Sequence, residues 1–112
     1  MSKKHYFDPA DLAKFGAITK WQKPMGDKFF AWYNEVMQEG ALTEREKSLI
    51  ALAVAHAIQC PYCIDAYTTA SLEKGADEEQ MMEAVQVAAV IRAGSSLVYG
   101  VQMMNHAENI SM

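Results

Sequence analysis

Apolar side chains recur along this chain at intervals of three and four residues, the spacing of helix faces, and nowhere alternate as they do in a strand. Asp8 followed by Pro9 reads as an N-cap with proline in the first helical position, and Leu12, Phe15 and Ile18 continue a helix from there. A second helix is expected to start near Pro24, to present Met25, Phe29, Trp32, Tyr33, Val36 and Met37, and to stop at Gly40. Thr43 and Glu46 form a capping box, in which each side chain takes a backbone N–H of the other's turn. The helix they open is apolar on almost every side from Leu49 to Ile58, which predicts burial.

A fourth helix begins at the cysteines and runs to about Lys74, where Gly75 ends it. Asp77 with Gln80 caps a fifth, whose stripe is Met81, Ala84, Val85, Ala88 and Ile91. Gly94-Ser95-Ser96 is expected to break or kink the chain before a last helix carrying Leu97, Val98, Val101 and Met104. The pattern predicts an all-α protein of about six helices, one domain over residues 1–112.

Size sharpens this picture. With 112 residues, 51% of them hydrophobic, the chain is too short to cover its apolar surface well. Eight methionines and 11 aromatic residues (2 Trp, 5 Tyr, 4 Phe) add to the excess, so a homo-oligomer is predicted. The charge balance, 10 Lys+Arg against 14 Asp+Glu, is −4 and offers no basic surface to a nucleic acid. The longest apolar run, Leu49 to Ile58, is ten residues interrupted by His56, well short of the roughly 20 a bilayer span needs. Residues Met1 to Asp8 carry positive charge without the hydrophobic stretch of a signal peptide. A soluble, cytoplasmic protein with no membrane or nucleic-acid partner is expected.

In a reducing compartment two cysteines three residues apart make a poor structural staple. Cys60-Pro61-Tyr62-Cys63 is better read as chemistry. Pro61 disfavours helical geometry at Cys60 and is suited to the first turn of a new helix. Cys60 then becomes the N-cap and Cys63 falls in the first turn on the same face, both at the positive end of the helix dipole. There a thiolate is stabilised, so thiol pKa values are expected to fall toward neutrality. Two such sulfurs can cycle between dithiol and disulfide. Zinc competes less well, because a structural site needs four ligands and the chain has no second Cys pair. His56 is near enough to join, but His5 and His106 lie toward opposite ends; no metal and no cofactor is called for.

Other residues surround this motif. His56, in the last turn before the cysteines, is either a proton shuttle that also favours the thiolate or a core histidine bonded to a carbonyl. Tyr67, four residues after Cys63, leans back toward that sulfur along the helix, although such tyrosines usually only pack. Glu44 and Glu46 read as a solvated first turn and its cap, Asp65 as a complement to the dipole, and Arg92 as an ion-pair partner. Asn109-Ile110-Ser111 matches a glycosylation sequon, which matters only to a secreted protein.

The run from Leu42 to Ala55, LTEREKSLIALAVA, then Cys60-Pro61-Tyr62-Cys63, then Leu72-Glu73-Lys74-Gly75-Ala76, resembles the carboxymuconolactone decarboxylase family. Within it the chain is similar to the AhpD-like alkylhydroperoxidase branch, most strongly over residues 28–104. From Tyr6-Phe7-Asp8-Pro9 to Val101-Gln102-Met103 it also resembles a subgroup described as arsenosugar-biosynthesis-associated peroxidase-like proteins. The resemblance implies an all-helical fold assembled as trimers or hexamers, and peroxidase activity through the C-x-x-C. The second cysteine would attack the peroxide and the first would resolve it, with no bound cofactor. It also implies a Glu twelve residues before the first cysteine and a His four after the second as a proton relay. Here those positions are Ser48 and Tyr67, so the relay is not carried over.

The expected activity is thiol-dependent reduction of hydrogen peroxide or an organic hydroperoxide, with an external dithiol as reductant. Helix-start reasoning favours Cys60 as nucleophile and the family pattern favours Cys63; the reading leans to Cys63, with His56 as acid/base helped by Tyr67 or by a neighbouring subunit. A thiol–disulfide reductase or adaptor acting on a protein or an organoarsenic thiol is the alternative. A non-redox decarboxylase-like protein is the third, disfavoured because decarboxylase members generally lack the paired cysteines.

Overall fold

A computed structural model describes residues 7–111, so the expectations that fall on Met1–Tyr6, His5 among them, lie outside the described residues. The described chain is helical throughout and contains no strand. A 3-10 helix, Pro9–Lys20, is followed by α1 (Lys23–Met37), α2 (Glu44–Ala57), α3 (Pro61–Glu73) and α4 (Glu78–Ser111). α2 is the central element and packs along both α3 and α4, while the 3-10 helix lies against α1 and α3.

Asp8 caps the first helix as expected, its carboxylate accepting the Ala10 N–H at 3.0 Å. The helix itself is 3-10 rather than α. Leu12, Phe15 and Ile18 recur every three residues, and only a helix of three residues per turn stacks them in one straight stripe. Phe15 meets Phe29 and Phe30 of α1 edge-on, with centroids 6.2 and 5.1 Å apart. At the crossing of these two helices Gly26 is required: a Cβ there would run into the Thr19 side chain.

α1 starts at Lys23, one residue before Pro24, but ends at Met37 rather than at Gly40. The stop comes from elsewhere in the chain. The Lys47 ammonium donates to the carbonyls of Val36 and Gln38, both at 2.6 Å, and takes the carbonyls that another helical turn would have used. The box at Thr43 and Glu46 forms as read, with bonds of 2.9 and 3.1 Å. So does the box at Asp77 and Gln80, with bonds of 3.0 and 2.8 Å.

Two further expectations fail. α2 is not buried all round: Ser48, Leu52 and Ala55 form its buried face, while Ile50 and Val54 are 50% exposed and Ile58 65%. The apolar core is small, with Leu52, Ala76 and Met81 at its centre and Leu49 and Tyr67 packed against it. Nor does Gly94-Ser95-Ser96 break the chain. α4 runs through it as one helix of 34 residues, about 51 Å long at 1.5 Å per residue. Glycine and serine lower helix propensity by at most about 1 kcal/mol each, and without proline nothing forbids continuation. The continuous helix is long and apolar enough, by length and composition, to cross a membrane, which the shorter run at Leu49–Ile58 did not suggest. Beyond Ile91 nearly all of it is exposed, including Leu97, Val98, Tyr99 and Met103. The radius of gyration is 19.0 Å, against about 13 Å for a compact chain of this length.

Both ends of α3 are set by the same backbone device. At the end of α2 the Gln59 N–H reaches His56 O at 3.2 Å and the Cys60 N–H reaches Ala55 O at 3.0 Å. At the end of α3 the Gly75 N–H reaches Leu72 O at 3.1 Å and the Ala76 N–H reaches Ser71 O at 2.9 Å. This paired closure puts one residue in the left-handed region. Gly75 takes it at φ +91°, whereas before the cysteines it falls to Gln59 at φ +57°. A side chain there costs about 1–2 kcal/mol, partly offset because glycine loses more chain entropy on folding. Gln59→Gly is therefore expected to raise stability by about 0.5–1 kcal/mol in denaturant unfolding, and Gln59→Val to lower it. A destabilising glycine would contradict this account of the turn.

Candidate active site

The turn that ends α2 delivers Cys60 directly to the start of α3. Cys60 is extended, at φ −102° and ψ 103°, and α3 begins at the next residue, Pro61; the Cys60 sulfur accepts the Cys63 N–H at 3.3 Å. That is the N-cap role, with sulfur in place of the usual oxygen. Cys63 follows in the first turn, and the two sulfurs lie 2.7 Å apart, both thiols free and half-buried. Nothing but a small adjustment separates this pair from a disulfide.

The dipole argument holds for the geometry and fails for Cys63. Burial, then the Cys60 sulfur beside it, pushes the Cys63 thiol up to about 11 rather than down toward neutrality. Desolvation acts on the whole thiolate, whereas the end of a helix offers about half a charge, so burial wins.

Cys63 sits between two hollows. One, of about 440 Å³, lies between α1 and α2 and is lined by Val36, Ile50, Val54 and Ile58 among others. Its one charged side chain, Lys47, is occupied in ending α1. The other, of about 590 Å³, opens under the 3-10 helix and exposes both sulfurs beside Phe15, Phe29 and Tyr33. Tyr62 closes its rim by donating to the Asp11 carboxylate at 3.2 Å, and burial followed by that bond raises its pKa. Phe7 stacks edge-on against the same ring with centroids 5.0 Å apart.

Tyr67 is the wall shared by both hollows and by a third of about 370 Å³, whose lining includes Asn34, Gln38, Glu44, Ser48 and Lys74. Its phenol is hydrogen-bonded to that of Tyr33. Burial, then this partner, holds its pKa above the ordinary phenol range. Glu44 and Lys74 form an ion pair of 2.8 Å, which ties the start of α2 to the end of α3. Ser48 is 3% exposed. One turn beyond Tyr67, the Ser71 hydroxyl is fully buried and has no hydrogen-bond partner among the described residues.

The structure thus brings Cys60, Cys63 and Tyr67 onto one hollow. His56 lines none of the three. Its Nδ1–H donates to Leu52 O of its own helix at 2.9 Å, the carbonyl-bound arrangement that was the other reading of this residue. Among the described residues Arg92 makes no ion pair; its guanidinium donates to the Ala57 carbonyl and caps the end of α2. Among the described residues no group of three His, Cys, Asp or Glu side chains is placed to hold a metal ion. Tyr33 was legible only as one member of an apolar stripe, and no local signal in the sequence marks it as part of the site.

Set beside known proteins, residues 24–105 match the model of the carboxymuconolactone decarboxylase family, and the chain belongs to that family. It is 41% identical over 91 residues, 81% of this chain and 82% of the other, to a Paracoccus denitrificans protein called uncharacterized protein 4 in cox locus. A crystal structure from Methanobacterium thermoautotrophicum matches with a TM-score of 0.74 at 35% identity, over 77% of this chain and 97% of its own. The structure of an apo carboxymuconolactone decarboxylase family protein from Legionella pneumophila matches with a TM-score of 0.60 at 27% identity, over 93% and 97%. The family includes both decarboxylases and AhpD-like peroxidases.

Because Cys63 keeps its proton well above neutral pH, it should be the slow thiol toward an alkylating reagent. With limiting iodoacetamide at pH 7.5, peptide mass mapping is expected to find Cys60 labelled at least tenfold faster than Cys63. Equal labelling, or Cys63 first, would contradict the burial argument.

Proposed function

We propose that this protein is a thiol-dependent peroxidase of the AhpD-like branch, acting through Cys60 and Cys63 without a bound cofactor. The observation that carries the reading is the pair of free sulfurs 2.7 Å apart at a helix start, opening onto apolar hollows large enough for an organic hydroperoxide.

Cys63 is the nucleophile, since it faces both hollows while Cys60 faces one. Burial raises its pKa, so Cys63 gives up its proton to solvent in the open hollow only as it attacks. Attack breaks the O–O bond, leaving a sulfenic acid on Cys63 and releasing an alkoxide that gains a proton to become an alcohol. The Cys60 thiol then condenses with the sulfenic acid, forming the disulfide and expelling water. An external dithiol restores the pair by exchange. Tyr67 faces the reacting sulfur and is the acid of the reading, whereas His56 is turned to its own helix.

The reading includes assembly with further copies of the chain, as trimers or hexamers, in the reducing cytoplasm. Its support is the exposed apolar side chains of α2 and the far half of α4, together with the large radius of gyration. A second copy covers such a helix without the solvated Gln102, Asn105 and Glu108 entering lipid.

Peroxide consumption with a dithiol reductant tests both parts. Cys63→Ser is expected to abolish turnover, Cys60→Ser to leave at most a single slow oxidation, and light scattering to give a mass several times that of one chain. Equal turnover in the double serine variant would end the peroxidase reading, and a monomer or a purely membrane-bound protein would end the assembly. Fast disulfide exchange with negligible peroxide turnover would instead point to a thiol–disulfide reductase.

A further inference from the structure

We infer that Tyr33 of α1 is a positioning residue for proton delivery, holding the Tyr67 phenol at the sulfur so that Tyr67 protonates the departing alkoxide and is recharged from the polar hollow behind it. The inference rests on the peroxidase reading and adds a residue and a route to it. Cys63 and Tyr67 lie one helical turn apart on α3, and side chains on a helix lean toward its N-terminus, so the ring reaches back toward Cys63. Tyr67 walls all three hollows, two of which expose a sulfur. The third exposes none and is instead polar, with Asn34, Gln38 and the Glu44–Lys74 pair on its lining.

Tyr33 walls the second and third hollows, and its hydroxyl is bonded to that of Tyr67. A proton crossing from the polar side to the sulfur side therefore meets these two hydroxyls in sequence. Each can donate one hydrogen bond and accept another, which is what a handover requires. Ser48, at the place where the family resemblance implies a glutamate, lines the same polar hollow as both tyrosines. The two departures from the family relay are thus neighbours.

Charge balance along the route is simple. A phenol held above its ordinary pKa by burial keeps its proton until a stronger base forms beside it. The alkoxide released by O–O cleavage is such a base, since its conjugate acid is a far weaker acid than a phenol. The alkoxide takes the Tyr67 proton and leaves as the alcohol. Tyr67 oxide takes the Tyr33 proton, and Tyr33 regains one from solvent through the polar hollow, which balances the proton that Cys63 released on attack. Glu44 and Lys74 neutralise each other there, so neither must change charge in the cycle.

The test is the oxidation half-reaction of the pre-reduced protein, followed by stopped flow with peroxides of different leaving-group basicity. Tert-butyl hydroperoxide expels a strongly basic alkoxide, hydrogen peroxide expels hydroxide, and peracetic acid expels acetate, which needs no acid. Tyr67→Phe is expected to slow the tert-butyl substrate about a hundredfold, as for loss of a general acid, and peracetic acid less than about threefold. Tyr33→Phe, which keeps the ring and removes only the hydroxyl, should give the same ordering at about tenfold and onefold. A Tyr33→Phe rate equal to wild type for all three, or lowered by one factor for all three, overturns the inference, because a merely structural tyrosine has no leaving-group preference. A wild type that reacts with none of the peroxides overturns the peroxidase reading itself, so the two failures are distinct.

Discussion

One backbone reversal places everything chemical in this protein. Between Ile58 and Pro61 the chain leaves α2 through a paired closure and enters α3 without a linker. The Cys60 N–H is spent on Ala55, Pro61 has none to spend, and the Cys63 N–H is given to the Cys60 sulfur. The amides of Gln59, Cys60 and Cys63 are all bonded at this junction, and the two sulfurs are left facing one another. Main-chain donors fix that pairing, the Cys60 N–H on Ala55 and the Cys63 N–H on the Cys60 sulfur. The cost is concentrated at Gln59, a side chain in the left-handed region next to the reactive pair.

Much of this was legible because the deciding features are local. The boxes at Thr43–Glu46 and Asp77–Gln80, the proline after Cys60 and the glycine after Lys74 each act within a few residues, and each formed as the sequence indicated. What the sequence concealed is decided at a distance. α1 ends where Lys47 reaches it, across the loop that follows. Tyr33 meets Tyr67 from a position 34 residues earlier, so nothing local distinguishes it from Phe29 or Trp32. Gly94-Ser95-Ser96 carries a weak breaking tendency that the helix on either side outweighs. His56 was balanced between two readings, and its ring follows the one that satisfies a carbonyl.

Burial governs the electrostatics of the site as much as its shape. The same half-exclusion from water that gives Cys63 an apolar hollow also resists its ionisation, so the helix start alone does not produce a reactive thiolate there. Surface and site obey one logic as well: α2 turns its buried face to α3 and α4 and its apolar opposite face outward, and the outward face is also a wall of the hollow at Cys63.

The central claim is that the two sulfurs act as one redox unit, and intact-mass analysis after a single equivalent of organic hydroperoxide tests it most directly. The account predicts the loss of two hydrogen atoms per chain, with the oxidised peptide joining Cys60 to Cys63 and no oxygen retained. A protein that keeps its full mass, or one that stops at a stable sulfenic or sulfinic acid with Cys60 still free, would contradict it.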